Sequence, residues 1–374
     1  MEVRVFEYIG GEFIQRLVTE NAPTVKYKIH AYDVSDFSIE FPLDEFGANE
    51  FKKFRFVLIE KFIGIILSVK RKSAANGNMM SISGKDMKIF LENTIVLPVE
   101  FSGIEGTAGF AVAQGWTDSC IKKFWRENFG ELAEISRRRP FLTIPDDKHI
   151  GISDDKYMSR FQKLSDVTSE LAKNAKLVIT STPLILEGKI LLDVVESEDR
   201  TASSYKPLIF SLENQTVLEM EYLEDINPYK NAFYATRSGA QFADEALTVL
   251  YTRDEEPDPT GIFRREQHLN VSVNTPTAGD EYNEMRRQAN HDMQNYEEVI
   301  SMTAKINFTK LKMDVDYNVG DFVTLQRTDW DVEADIQITA VEVSANESGR
   351  TEIATLGTGE KGYIRQIQTE INNI

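Results

Sequence analysis

The side chains that most often do chemistry are thinly spread in this chain. Cys120 is the single cysteine, so neither an internal disulfide nor a thiolate metal cluster can form. It reads as a core or half-buried thiol. Four histidines occur, His30, His149, His268 and His291, none with a second His at helical metal spacing, and HExxH is absent. Asp146, Asp147 and His149 lie close together in a segment whose polarity reads as a loop. Asp314, Asp316, Asn318 and Gly320 alternate like the start of a calcium loop. An EF-hand needs Gly at its sixth position and Glu at its twelfth, and Val319 and Leu325 stand there. No Gly-x-Ser-x-Gly elbow and no phosphate loop are present, and Gly103, Gly106 and Gly109 do not have dinucleotide spacing. With 60 acidic residues, no carboxylate pair stands out as a glycosidase dyad. The reading assigns no catalytic, cofactor-binding or metal-binding residue, and no cofactor. Arg137-Arg138-Arg139, ended by Pro140, is a basic run that suits a solvated loop or a contact with an acidic neighbouring subunit.

Charge points away from nucleic-acid recognition. The formal net charge of the 374 residues is −18. Nucleic-acid binders draw most of their affinity from neutralising phosphates, so specific nucleic-acid binding is not expected. An acidic excess favours solubility, or a surface past which DNA slides without adhering. The longest apolar run, Phe62–Val69, is strand-sized and far short of the roughly 18 residues of a membrane span. The N-terminus alternates like a strand and lacks the layout of a signal peptide, so synthesis without export by that route is expected.

The positioning elements are mostly strands. Asp314–Val343 carries two runs of period two, Val315 to Leu325 and Ile336 to Val343, separated by a polar loop. They read as an antiparallel hairpin with one buried face and a Gly320-Asp321 corner, and Glu352–Leu356 can add a further strand. Residues 1–115 hold six or more strands, enough for an antiparallel barrel or sandwich, with Asn76-Gly77 as a hairpin turn and a short helix at Met87–Glu92. Residues 116–200 read as an inserted helix–hairpin module. Thr117 or Asp118 caps a helix with Cys120, Ile121, Phe124 and Trp125 on one face. A long helix follows over Lys156–Lys173, then strands over Leu177–Thr180 and Ile190–Val195. A second β block takes 201–275 and 305–360, a polar helix over Ala278–Ala304 forms an insertion at 276–304, a strand covers Ile306–Met313, and 361–374 is a tail. The expected fold class is α+β, mainly β: β-barrels with helical insertions. Strands from 200–240 are available to complete the first barrel.

Several segments together resemble a known family. Ile63-Gly64-Ile65-Ile66, Ser83-Gly84-Lys85-Asp86, Asp199-Arg200-Thr201 and Asn318-Val319-Gly320-Asp321 follow in this order, with the module containing YMSRFQKLSDVTSELAKNAKLVI between the second and third. The chain resembles siphovirus-type tail hub proteins, which are similar to the baseplate hub of contractile tails. Basic and aromatic residues often seen around the family's first module are sparse here.

The resemblance implies two tail-tube-like antiparallel β-barrels per chain. It implies a homotrimer whose six barrels match a sixfold tail tube above and a threefold tip below. The implied partners are the tail tube or distal tail protein, the tape-measure protein, and a spike or receptor-binding protein. The implied place is the tail tip of a virion, with an acidic channel for DNA or tape measure. Such a part is not an enzyme. Interface positions are expected at Phe62, Ile63, Gly64, Ile65, Val319, Gly320, Asp321 and Phe322, on the premise that their strands are unpaired barrel edges that join between subunits. Gly64, Gly84 and Gly320 are expected to serve turns or bulges. Competing readings are a tail-associated cell-wall hydrolase or endopeptidase, the hub of a phage-tail-like bacteriocin or secretion device, and an unrelated multidomain β protein.

Overall fold

Alternation of apolar and polar residues builds the first seven strands: β1 (Val3–Ile9), β2 (Glu12–Thr19), β3 (Thr24–His30), β4 (Asp36–Pro42), β5 (Phe56–Ile59), β6 (Phe62–Ala74) and β7 (Gly77–Asp86). The computed structural model describes residues 1–74, 77–98, 109–153, 155–237, 248–252, 260–271, 296, 299–330, 332–357 and 364–365. Contacts group these into one unit of Met1–Met220 with Thr303–Leu356, and a second of Glu221–Met302 with Gly357–Ile374. Among the described residues no helix is long and apolar enough to cross a membrane.

After helix α1 (Ile89–Glu92) come strand β8 (Ala111–Gly115), helix α2 (Thr117–Asn128), β9 (Leu142–Thr143), β10 (Asp155–Ser159), helix α3 (Leu164–Asn174) and the hairpin β11 (Leu177–Leu184) and β12 (Lys189–Glu196). Short strands β13 (Asp199–Arg200) and β14 (Ile209–Phe210) lead to β15 (Val217–Asp225). The second unit holds a small sheet in which β16 (Ala232–Arg237) lies between β17 (Thr248–Thr252) and β18 (Glu266–Val271). The chain then runs through β19 (Val299–Ile306), β20 (Phe322–Arg327), β21 (Val332–Asn346) and β22 (Gly349–Leu356).

The main sheet has the order β15-β19-β22-β21-β3-β4-β7-β6-β5-β1-β2. Its seam is the antiparallel pairing of β3 with β21, from His30 opposite Ala340 to Val25 opposite Ala345. This joins the N-terminal strands to the C-terminal hairpin. The fold is mainly β with helical insertions, and parallel pairs also occur: β13 and β14 with β20, and β9 with β12.

The helix–hairpin segment shares its core with the first strands. Phe6, Phe13, Phe56 and Ile63 pack in one buried cluster with Cys120, Phe124, Trp125, Leu171, Ile179 and Ile190. Burying each large apolar side chain contributes roughly 1.5–3 kcal/mol, so this shared core ties the segment firmly to the sheet.

Five local expectations are corrected. The helix expected over Lys156–Lys173 is strand β10 followed by α3. Phe161 at φ +56° breaks the chain between them, and Tyr157 pairs opposite Ala113 on β8. Thr117 and Asp118 do not cap α2: its N-cap is Trp116, without a side-chain cap. Instead Thr117 Oγ1 accepts from the Ile152 N–H, and Asp118 accepts from the N–H groups of Lys148 and Ile150. Most of the expected helix Ala278–Ala304 lies outside the described residues, but its end from Val299 is strand. That strand ends at Ile306, where a strand was expected to begin. In the C-terminal hairpin the first strand starts only at Phe322; Met313 and Tyr317 form an isolated bridge before it.

Candidate assembly site

Within the chain, Phe62, Ile63, Gly64, Ile65, Gly320 and Asp321 are buried, and Val319 and Phe322 are half-buried. Gly64 and Ile65 are paired on both sides, with β5 and with β7, while Phe62 and Ile63 are paired with β5 alone. The edge premise therefore fails for Gly64 and Ile65, and all four residues are buried in the chain. A Cβ on Gly64 would meet the Phe37 ring at 2.7 Å, so that glycine serves close packing. The strand β20 likewise lies between β21 and the short strands β13 and β14, so Phe322 is not on an open edge. Gly320 has φ +101°, and a Cβ there would lie 2.1 Å from Val178 Cγ2. Asp321 is buried, accepts from the Asn318 N–H at 2.8 Å and pairs with Arg200 at 3.2 Å. Phe322 lies under Lys176 Nζ, 5.5 Å from its ring centre.

The structure does bring the two stretches to one place. Phe62 and Val319 both line a cleft of about 450 Å³ whose other walls include Tyr27, Glu60, Lys88 and Ile179. Beside it runs a polar seam. Tyr27 on β3 donates to Glu60 at 2.7 Å. Glu60 pairs with Arg350 on β22, which pairs in turn with Glu352 at 2.7 Å. Tyr317 donates to the other Glu352 oxygen at 2.6 Å. Burial pushes the Glu60 carboxyl up, but the hydrogen bonds from Arg350 and Tyr27 and the Arg350 charge outweigh it and hold the group below its ordinary value. Burial, and then the carboxylate each faces, raises both tyrosines well above theirs. Asp314 is raised by burial and by the charges of Glu60 and Glu352, against Lys61.

Two further buried charge clusters tie elements of the first unit together. Lys88 donates to the His30 carbonyl at 2.5 Å and lies 3.5 Å from Asp86. Burial lowers the lysine and raises the aspartate, so each is shifted toward its neutral form. Lys122, wholly buried, sits 3.1 Å from Asp193 and 3.6 Å from Asp118, and donates to the Asp146 carbonyl at 2.8 Å. These are clamps between elements. Among the described residues, no group of three His, Cys, Asp or Glu is placed to hold a metal ion. Asp314 and Asp316 are occupied by Lys61 and by the Lys312 N–H.

The sequence reading missed Glu60, Arg350, Glu352 and Lys122. A signal existed for two of them. Glu352 stands in the inward phase with Ala354 and Leu356, and Lys122 lies on the apolar face of α2. A charge at a core-phase position marks a buried partner.

The fold is similar to that of solved phage tail proteins. It is similar to the 43 kDa tail protein of prophage MuSo2 from Shewanella oneidensis, at 11% identity over 97% of this chain and 100% of that one, with a TM-score of 0.53. The tail protein from Neisseria meningitidis MC58 gives 13% identity over 95% and 96% of the two chains and a TM-score of 0.53. Prophage tail protein gp18 from Listeria monocytogenes EGD-e gives 10%, 96% and 96%, and 0.51. No curated protein sequence matches. The chain belongs to the family of Siphovirus ReqiPepy6 Gp37-like proteins, whose pattern matches residues 2–358.

Proposed function

We propose that the chain is the hub of a phage tail tip: a structural part that forms a threefold ring, joins a sixfold tail tube to the tip and lines the channel for DNA or tape measure. The observation that supports this is the β3–β21 seam, which joins the N-terminal strands to the C-terminal hairpin, the two β blocks of this reading. Three such chains present six blocks to a sixfold tube and three equivalent faces to a tip. The acidic excess of −18 suits a channel from which DNA is repelled. The partners on this reading are the tube or distal tail protein above, the tape-measure end within, and a spike or receptor-binding protein below. The test is the mass and symmetry of the purified protein by light scattering and negative-stain imaging. Rings of three copies support the reading, and rings of another order contradict it.

A further inference from the structure

Two surface loops of the first unit carry fixed charges that make no ion pair among the described residues. Arg137 donates to the Ile95 carbonyl at 2.6 Å and to Asn128 at 3.3 Å. Arg138 donates to the Ala133 carbonyl, and Arg139 to the Arg137 carbonyl, each at 2.7 Å. Backbone oxygens thus hold three successive guanidiniums in place, and none of the three has a carboxylate partner among the described residues. Leu132 and Ile135 stand on the same loop at 66% and 81% exposure. Behind Arg138 and Arg139 opens a cleft of about 730 Å³ whose lining includes Phe129, Leu142 and Ile144. Its carboxylates Glu131 and Asp147 are tied to Arg126, and Asp146 stands exposed.

The second loop has the opposite sign. Asp44 and Glu45 accept from the side-chain amides of Asn78 and Asn21, at 3.3 and 2.8 Å, so they are positioned without being neutralised. Phe46 follows at 89% exposure. Gly47 at φ +89° packs so tightly that a Cβ would lie 2.4 Å from Leu17 Cδ1, which fixes the turn that presents the phenyl ring. A preformed turn that offers an aromatic ring next to two acids is a binding element held at little entropic cost.

We infer that these loops are the two halves of one contact between copies of this chain: Phe46 of one copy enters the cleft beside Arg138 and Arg139 of the next, and Asp44 and Glu45 face the arginines. The cleft offers an apolar floor for the ring and a cationic rim for the acids, the arrangement of an anchored interface centre. Because the two patches differ, the contact is heterologous, and repeated it closes a ring or runs on as a filament. This rests on the ring reading above and names the surface that would make it.

The test is photo-crosslinking of the full chain with p-benzoylphenylalanine replacing Phe46. The expected product is a covalent dimer joined to a peptide within residues 129–149 of a second copy. Arg138→Glu with Arg139→Glu in the same chain lowers the yield about tenfold, and adding Asp44→Lys with Glu45→Lys restores it. Circular dichroism of each variant separates loss of contact from loss of fold. Crosslinks to another part of a second copy, or none in a protein that forms threefold rings, overturn this contact and leave the ring reading standing. A chain that stays monomeric and uncrosslinked overturns both. A crosslink to a different tail protein also overturns the inference.

Discussion

The hydroxyl of Tyr317 donates to Oε2 of Glu352 at 2.6 Å, and both side chains are fully buried. The other Glu352 oxygen faces Arg350, which reaches Glu60 and through it Tyr27. One chain of polar contacts therefore crosses from the C-terminal strands to β3 and the β5–β6 turn. Tyr317→Phe removes the donor and leaves a buried carboxylate oxygen with only the long 3.4 Å contact to the Met313 N–H. The expected loss is about 1–3 kcal/mol in chemical denaturation. An unchanged midpoint would show that the seam adds nothing to stability.

Gly320 stands where neither the backbone nor the packing admits a side chain. Its positive φ disfavours a side chain, and Val178 occupies the space a Cβ needs. Gly320→Val combines backbone strain with overpacking and should cost at least ~2 kcal/mol. Val178→Ala in the same chain should return part of that loss, because it removes the steric share and leaves the strain. A wild-type melting temperature for Gly320→Val would refute the assignment of this corner.

Lys122 tests the buried clamp of the inserted segment. Lys122→Met leaves Asp118 and Asp193 buried without their shared cation, and breaking such a pair costs about 3–5 kcal/mol. Lys148, half-exposed and 2.6 Å from Asp193, is the control. Lys148→Met should cost no more than ~1 kcal/mol. Equal losses for the two variants would mean that burial of the ion pair is not what matters.

Acidification should act through Glu60. Its carboxyl is held below its ordinary value of 4.5 in the folded chain. The folded state therefore binds that proton less readily than the unfolded one. The stability it contributes is present above about pH 4.5 and is lost as the pH falls through the lower folded value. Glu60→Gln should be less stable than wild type near neutrality, and the gap between the two should narrow below that pH. A gap that stays constant, or widens on acidification, would reverse the sign of this contribution.

Much of the strand content was legible because period two is a local property. The hairpins β6–β7, β11–β12 and β20–β21 follow from it; of the expected Asn76-Gly77 turn, Asn76 lies outside the described residues and Gly77 pairs opposite Ala74 as the first residue of β7. What period two does not encode is which strand lies next to which. Phe62–Ile65 looks like any strand, and only the register shows that Gly64 and Ile65 are paired with both β5 and β7. The same blindness hid the β3–β21 seam, whose partners lie more than three hundred residues apart. The apolar spacing from Leu164 to Leu171 was read correctly as a helix but extended too far back, because Tyr157 and Phe161 happen to continue the pattern that β10 breaks. The clamps at Lys122 and Glu352 were visible only as charges in core phase, and their partners come from distant segments.

The central claim is a position: the distal end of a tail. Gold-labelled antibody against this chain, applied to particles from a producing lysate and viewed by electron microscopy, tests it most directly. The account predicts label confined to the tail end away from the head, at the junction of tube and tip. Label spread along the tube, on the head, or absent from particles while the protein remains soluble in the lysate would contradict it.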